Sequence, residues 1–136
     1  MGFSHGGWAI LDALAYGGAA GHGFGQSDQG ALKLARAAVT YYPYCGYPAQ
    51  LRINSRAPQE IPLLMLLAGQ DSVTDHQQCL DSLDKLKLNQ IQLVQYQQAD
   101  HVFDQPSPMH TYQPAIAADA HLKTLAFLRE NLQQSQ

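Results

Sequence analysis

Three residues of this 136-residue chain have the types and the setting to do covalent chemistry. Ser4 stands in Gly2-Phe3-Ser4-His5-Gly6, a G-x-S-x-G pattern at the start of an apolar-periodic stretch. Such a serine sits on a sharp strand-to-helix turn, and glycines at the flanking positions leave the room that the turn needs. A serine hydroxyl is a weak nucleophile until a neighbouring base takes its proton. His101, in Gln98-Ala99-Asp100-His101-Val102-Phe103-Asp104, is the candidate base, and Asp71, in Leu66-Leu67-Ala68-Gly69-Gln70-Asp71, is the candidate acid. The division of labour would be acyl transfer: Ser4 attacks, His101 moves the proton, and Asp71 fixes the imidazole tautomer and stabilises its cation. The amide of His5, at the helix N-terminus, would receive the oxyanion. The order Ser, Asp, His along the chain is the one expected where the serine tops an open parallel sheet.

Other residues compete for these roles. Asp75 reads better as the N-cap of a following helix, with Gln78 as its capping-box partner. Asp100 and Asp104 flank the histidine too closely and are expected to shape its loop through side-chain to backbone hydrogen bonds. His22, His76, His110 and His121 show neither H-x-x-x-H spacing nor cysteine partners, so no metal site is expected. Cys45 and Cys79 both lie beyond expected strands, and the residues leave open a disulfide or two small buried thiols. Trp8, Tyr44, Tyr47 and Phe103 are candidates for an aromatic pocket wall, with core or rim positions as the alternative. Gly21, Gly23 and Gly25 lack the preceding strand and the basic residue of a phosphate-cradling loop.

The elements that must position these residues alternate along the chain. A helix is expected over Gly7 to Tyr16, where Trp8, Ile10, Leu11, Leu14 and Ala15 share a surface. Gly17 to Gly30, with six glycines, reads as a loop. Strands are expected over Ala37 to Tyr42, Ile61 to Ala68 and Ile91 to Tyr96, the first two buried on both faces. Helices are expected over Asp75 to Leu86 and along the stripe Ile116, Ala120, Leu125, Leu128 and Leu132, which runs into a Gln-rich tail expected to fray. Strands separated by helices imply right-handed crossovers and a parallel sheet covered by helices, an α/β fold with three visible strands. Asp71 and His101 then fall at the carboxyl edge of that sheet, where such folds place their sites.

Composition narrows the function classes. With 46% apolar and 14% charged residues the chain can bury a core, and one domain over 1–136 is expected. Eight basic residues against eleven acidic ones, scattered without a basic patch, argue against nucleic acid as a partner. The longest apolar run, Ile61 to Ala68, is far below the roughly 18 residues that span a bilayer. No secretory signal is visible at the N-terminus. A cytoplasmic location is expected if the chain is complete, and a periplasmic or secreted one if a signal lies upstream.

On Gly2-Phe3-Ser4-His5-Gly6-Gly7-Trp8, Tyr41-Tyr42-Pro43-Tyr44-Cys45-Gly46, Leu66 to Asp71, and His101-Val102-Phe103-Asp104, the chain resembles the dienelactone hydrolase family of the α/β-hydrolase superfamily. The resemblance implies hydrolysis of a small-molecule ester or lactone through an acyl-enzyme, with no cofactor, and places nucleophile, acid and base on Ser4, Asp71 and His101. Some members use cysteine as nucleophile, so the serine here leans towards carboxylesterase-like activity. The paired cysteines look like a subgroup that has both. The family also has several strands before the elbow, which this chain lacks, so a partial, truncated domain is expected. The strand at 37–42 would then present an unpaired edge, and the alternative function is an inactive fragment that pairs there as a homodimer or with a missing N-terminal half.

Overall fold

The computed structural model describes residues 1–16, 35–49, 61–86 and 91–133. Among the described residues four strands and three helices follow one another: β1 (Gly2–Phe3), α1 (His5–Tyr16), β2 (Ala38–Tyr41), β3 (Leu63–Ala68), α2 (His76–Leu86), β4 (Ile91–Tyr96) and α3 (Pro114–Gln133). The strands form one parallel sheet in the order β1-β2-β3-β4. Because all four run the same way, the segments that leave their carboxyl ends gather along one edge.

Period-two alternation sorts the strand residues between two apolar layers. Ala38, Leu63, Met65 and Leu67 pack with Leu11 and Leu14 of α1 and with Cys79, Leu80 and Leu83 of α2. Val39, Tyr41, Leu64, Leu66 and Ala68 face the other way, against Ala120, Phe127, Ile116 and Leu128 of α3. β2 and β3 are buried along their whole length, which is why they read as apolar runs and not as alternating strands. β4 is half-exposed, with Gln92 and Leu93 facing out. None of the helices among the described residues is long and apolar enough to cross a membrane.

Three differences from the sequence reading have physical causes. The sheet has four strands where three are expected, because Gly2 and Phe3 pair in parallel with Thr40 and Tyr41. β2 is therefore covered at its carboxyl end, while β1 takes no partner at Ala38 and Val39. Secondly, α1 begins at His5, two residues early, since the Ser4 carbonyl accepts the Trp8 amide at 3.0 Å and starts the helix there. Thirdly, the buried stripe of α3 is Ala120, Thr124 and Phe127, with Leu132 exposed. Thr124 takes the core position because its hydroxyl shares a 2.8 Å hydrogen bond with the buried Tyr41 phenol. The glycine-rich segment 17–30 with His22, and the tail after Gln133, lie outside the described residues.

Candidate active site

Ser4 occupies the one-residue junction between β1 and α1 with φ of 49°, a left-handed conformation that side chains other than glycine rarely adopt. Its amide donates to the Tyr41 carbonyl at 3.0 Å, which locks the turn to β2. The turn is tight at Gly2: a Cβ there would lie 2.3 Å from the Gly6 carbonyl oxygen. From the G-x-S-x-G pattern both flanking glycines are expected to serve this steric need. The structure corrects that expectation, because a Cβ at Gly6 meets nothing within 4 Å, whereas one at Gly7 would lie 2.9 Å from the Pro43 Cβ. The crowded positions are thus Gly2 and Gly7. A serine at a helix start usually caps the amides ahead of it. Here its Oγ instead lies 3.0 Å from His101 Nε2.

Asp71 leaves the end of β3 through Gly69, whose amide donates to the Tyr96 carbonyl at 2.8 Å. The exits of β3 and β4 cross so closely at this point that a Cβ on Gly69 would sit 2.7 Å from Gln97 Cα. The Asp71 carboxylate accepts the Val73 and Thr74 amides at 2.9 and 2.6 Å and the Thr74 hydroxyl at 2.8 Å. Its Oδ2 lies 2.9 Å from His101 Nδ1, with the two side chains only 1% and 4% exposed. Burial by itself would raise the carboxyl pKa, but the hydrogen bonds from His101, the Thr74 and Val73 amides and the Thr74 hydroxyl outweigh it and hold Asp71 below the ordinary carboxylate range. A carboxylate accepts and cannot donate, so the proton of the neutral imidazole resides on Nδ1. Nε2 is left as the acceptor towards Ser4.

His101 is held by its own loop and by the loop that carries Asp71. Asp100 Oδ1 accepts the amides of both His101 and Ser72 at 2.6 Å, tying the two loops together. The Thr111 hydroxyl donates to the His101 carbonyl, and the Gln113 amide to the Phe103 carbonyl at 3.0 Å. The next residue, the β-branched Val102, has φ of 59°. Such strain persists only where surrounding contacts over-determine it, and it clusters at functional sites.

The other residues singled out from sequence fall as follows. Asp75 caps α2 by accepting the Gln77 amide at 3.0 Å, and Gln78 reaches back to its carboxylate at 3.4 Å. Asp100 shapes the loop through backbone amides, as expected. Asp104 does not: it accepts the Tyr42 phenol at 2.5 Å. His5 opens α1, and the amides of His5, Gly6 and Gly7 precede the first intrahelical donor, Trp8. Cys45 and Cys79 are joined by a disulfide that links the segment after β2 to α2. Trp8 and Tyr44 meet at 5.4 Å beside the elbow, and Tyr47 is 75% exposed. Phe103, offered as a pocket residue, lies in the α3-side core. Among the described residues no three His, Cys, Asp or Glu side chains converge as metal ligands. Tyr42, Thr74 and Thr111 also take part in the site and are not among the residues expected from sequence. Thr74 had a signal, the Asp-x-x-Thr spacing of a side-chain capped turn, and Tyr42 had another, its place directly after a strand at the site's edge.

A family model described as "Dienelactone hydrolase family" matches residues 18–132. The match takes in Asp71 and His101 and begins after Ser4. No curated protein matches the chain. Among solved structures, a dienelactone hydrolase-like promiscuous phosphotriesterase from metagenomic libraries superposes with a TM-score of 0.63 at 16% identity, over 96% of this chain and 50% of its own. The carboxylesterase Cest-2923 of Lactobacillus plantarum gives 0.59 at 17%, over 95% and 56%. Esterase 2 of Thermogutta terrifontis, phosphoramylated by tabun, gives 0.62 at 18%, over 95% and 53%. The fold is shared, and this chain spans about half the length of each.

Proposed function

The chain belongs to the dienelactone hydrolase family, and from that premise we propose that it is a serine hydrolase of carboxylic esters or lactones whose acid, base and nucleophile are Asp71, His101 and Ser4. One observation carries the reading: Ser4 Oγ, His101 and Asp71 form an unbroken line of contacts, at 3.0 Å to Nε2 and 2.9 Å from Nδ1. In the proposed reaction His101 Nε2 takes the Ser4 proton as Oγ attacks the acyl carbon. The tetrahedral oxyanion lies against the His5 amide at the α1 N-terminus. His101 then protonates the departing alcohol, leaving an acyl group on Ser4. Water, deprotonated by the same histidine, releases the acid and restores the serine. Asp71, held ionised by its hydrogen bonds, offsets the charge on the imidazolium in both halves.

This architecture draws a second oxyanion donor from a loop ahead of the elbow in chain order. The loss of one such donor costs on the order of 10²- to 10³-fold in rate, so turnover depends on more than the three named side chains. A fluorophosphonate probe tests the site without demanding turnover, and the organophosphorus adduct on the Thermogutta esterase supports that choice of probe. Ser4 is expected to be the labelled residue. Labelling is expected to vanish in Ser4→Ala and to slow sharply in Asp71→Asn, where the wrong tautomer is favoured. Folded protein that resists the probe would refute the proposal.

A second reading is favoured by one feature of the sheet. β1 pairs only with Thr40 and Tyr41, and leaves the Ala38–Val39 edge of β2 without a β1 partner. In this alternative the chain is inactive and pairs through that edge with a second copy or another chain. Light scattering after size-exclusion chromatography decides it for the second copy: a mass near twice 14.9 kDa is expected, and a clean monomer rules that form out.

A further inference from the structure

Each of the four parallel strands delivers one residue to the cluster at their carboxyl ends. β1 is followed by Ser4, β3 by Asp71 and β4 by His101; the residue after β2 is Tyr42. Tyr42 is only 1% exposed, and its backbone is in the left-handed region, with φ of 36°. Its amide donates to the Leu66 carbonyl at 2.7 Å, so the twist is anchored by β3. This conformation brings its ring to 4.6 Å from the imidazole of His101, tilted by 60°, with the Phe103 ring edge-on at 5.6 Å. The phenol does not bond a neutral acceptor. It donates to the carboxylate of Asp104, three residues beyond the histidine.

Resting on the hydrolase reading, we infer that Tyr42 is a positioning residue for His101, its ring backing the imidazolium that forms when Ser4 loses its proton and Asp104 acting through the phenol hydroxyl. The physical basis has two parts. An aromatic ring within about 6 Å attracts a cation, and the attraction grows in a desolvated site. A phenol that donates to a carboxylate has a more electron-rich ring, and in a part-buried pair such as this one water screens that polarisation less than at the surface. Burial and the hydrogen bond to Asp104 raise the Tyr42 pKa, which keeps the hydroxyl protonated as the donor. Among the described residues the groups that face His101 are Asp71 from the β3–α2 segment, Ser4 from the elbow, Tyr42 from the segment after β2, and from its own loop Asp100 on its amide and Asp104 through the phenol. Asp71 grips one nitrogen at the edge of the imidazole, and Tyr42 meets the ring as a whole.

The test compares Tyr42→Leu, Tyr42→Phe, Asp104→Asn and the double variant Tyr42→Phe/Asp104→Asn in the full chain, with thermal melts to verify folding. For hydrolysis of an aryl ester, or for fluorophosphonate labelling if turnover is slow, Tyr42→Leu is expected to lower the rate about three- to tenfold at unchanged KM. The acidic limb of its pH profile, which reports the base, is expected to move to lower pH. Tyr42→Phe retains the ring and is expected to show a smaller effect, equal to that of Asp104→Asn, and the double variant should be no worse than either single one. A pH profile unmoved in folded Tyr42→Leu overturns the inference. Effects of Tyr42→Phe and Asp104→Asn that multiply overturn the route through the phenol. Should wild-type protein resist the probe, NMR titration of the His101 ring signals, assigned with His101→Gln, reads the same equilibrium. A midpoint lower in Tyr42→Leu would then uphold the inference while the hydrolase reading fails, and an unmoved midpoint would sink the inference as well.

Discussion

At Asp71 two amides, one hydroxyl and one imidazole converge on a single buried carboxylate. Fourfold acceptance is near the capacity of the group, and this aspartate, not Asp75, Asp100 or Asp104, is the one bonded to the imidazole. Each rival has its carboxylate engaged elsewhere: on the α2 cap, on two loop amides, and on the Tyr42 phenol. The consequence for pH follows from the sign of the shift. The folded-state pKa of Asp71 lies below its ordinary value, so its contribution to stability is fully present above that value and is lost as pH falls through the folded pKa. Thermal midpoints measured from pH 6 down to pH 2 are therefore expected to fall for the wild type once the pH drops below the ordinary carboxylate range. Asp71→Asn, which cannot ionise there, should lack that part of the decline; parallel curves would show that Asp71 is not the group responsible.

The turn from β1 into α1 is where element geometry bears most directly on the site. Sequence pattern treats the two glycines of G-x-S-x-G alike, yet only Gly2 is pressed against backbone. Gly2→Ala is expected to destabilise the protein by about 1–3 kcal/mol, because a methyl has no room to enter and the turn must open. Gly6→Ala, in the first turn of α1 and with open space around its Cβ, should be neutral or gain up to about 1 kcal/mol from helix propensity and reduced unfolded-state entropy. Urea denaturation of the two variants checks both signs at once. Equal losses would mean that the turn is less tight at Gly2 than it stands here. Two further left-handed residues, Tyr42 and Val102, sit at the ends of neighbouring segments around the same histidine. The strain is thus shared between elements that meet at one edge.

At the scale of the whole molecule, the Cys45–Cys79 disulfide closes a separation of 34 residues and joins the segment after β2 to α2. In the chain-entropy account a loop of that length stabilises by about 3 to 4 kcal/mol. Reduction, or replacement of both cysteines by alanine, should lower the unfolding free energy by that amount in urea titrations, and an unchanged midpoint would show that the bridge is dispensable. The amino-acid order alone determined the alternation of elements, the α/β class, the resemblance to a family, and the three residue types with the means for acyl transfer, because these follow from local periodicity and from spacing within short motifs. It also made Asp75 legible as a cap, since capping is a contact within one turn. The order left the cysteines undecided and Phe103 open between pocket and core, found Ile116, Ala120 and Leu128 on the packed face of α3 but passed over Thr124 and Phe127 there, and passed over Tyr42. Each of these depends on contacts between distant segments: Thr124 meets Tyr41 across 83 residues, and Tyr42 meets Asp104 across 62. Ser4 and His101 lie 97 residues apart and come within 3.0 Å only because four strands stack in parallel and turn out along one edge. Local sequence can place a residue at the end of a strand. Which side chains then meet is decided by the order and register of the strands, and that is a property of the assembled sheet.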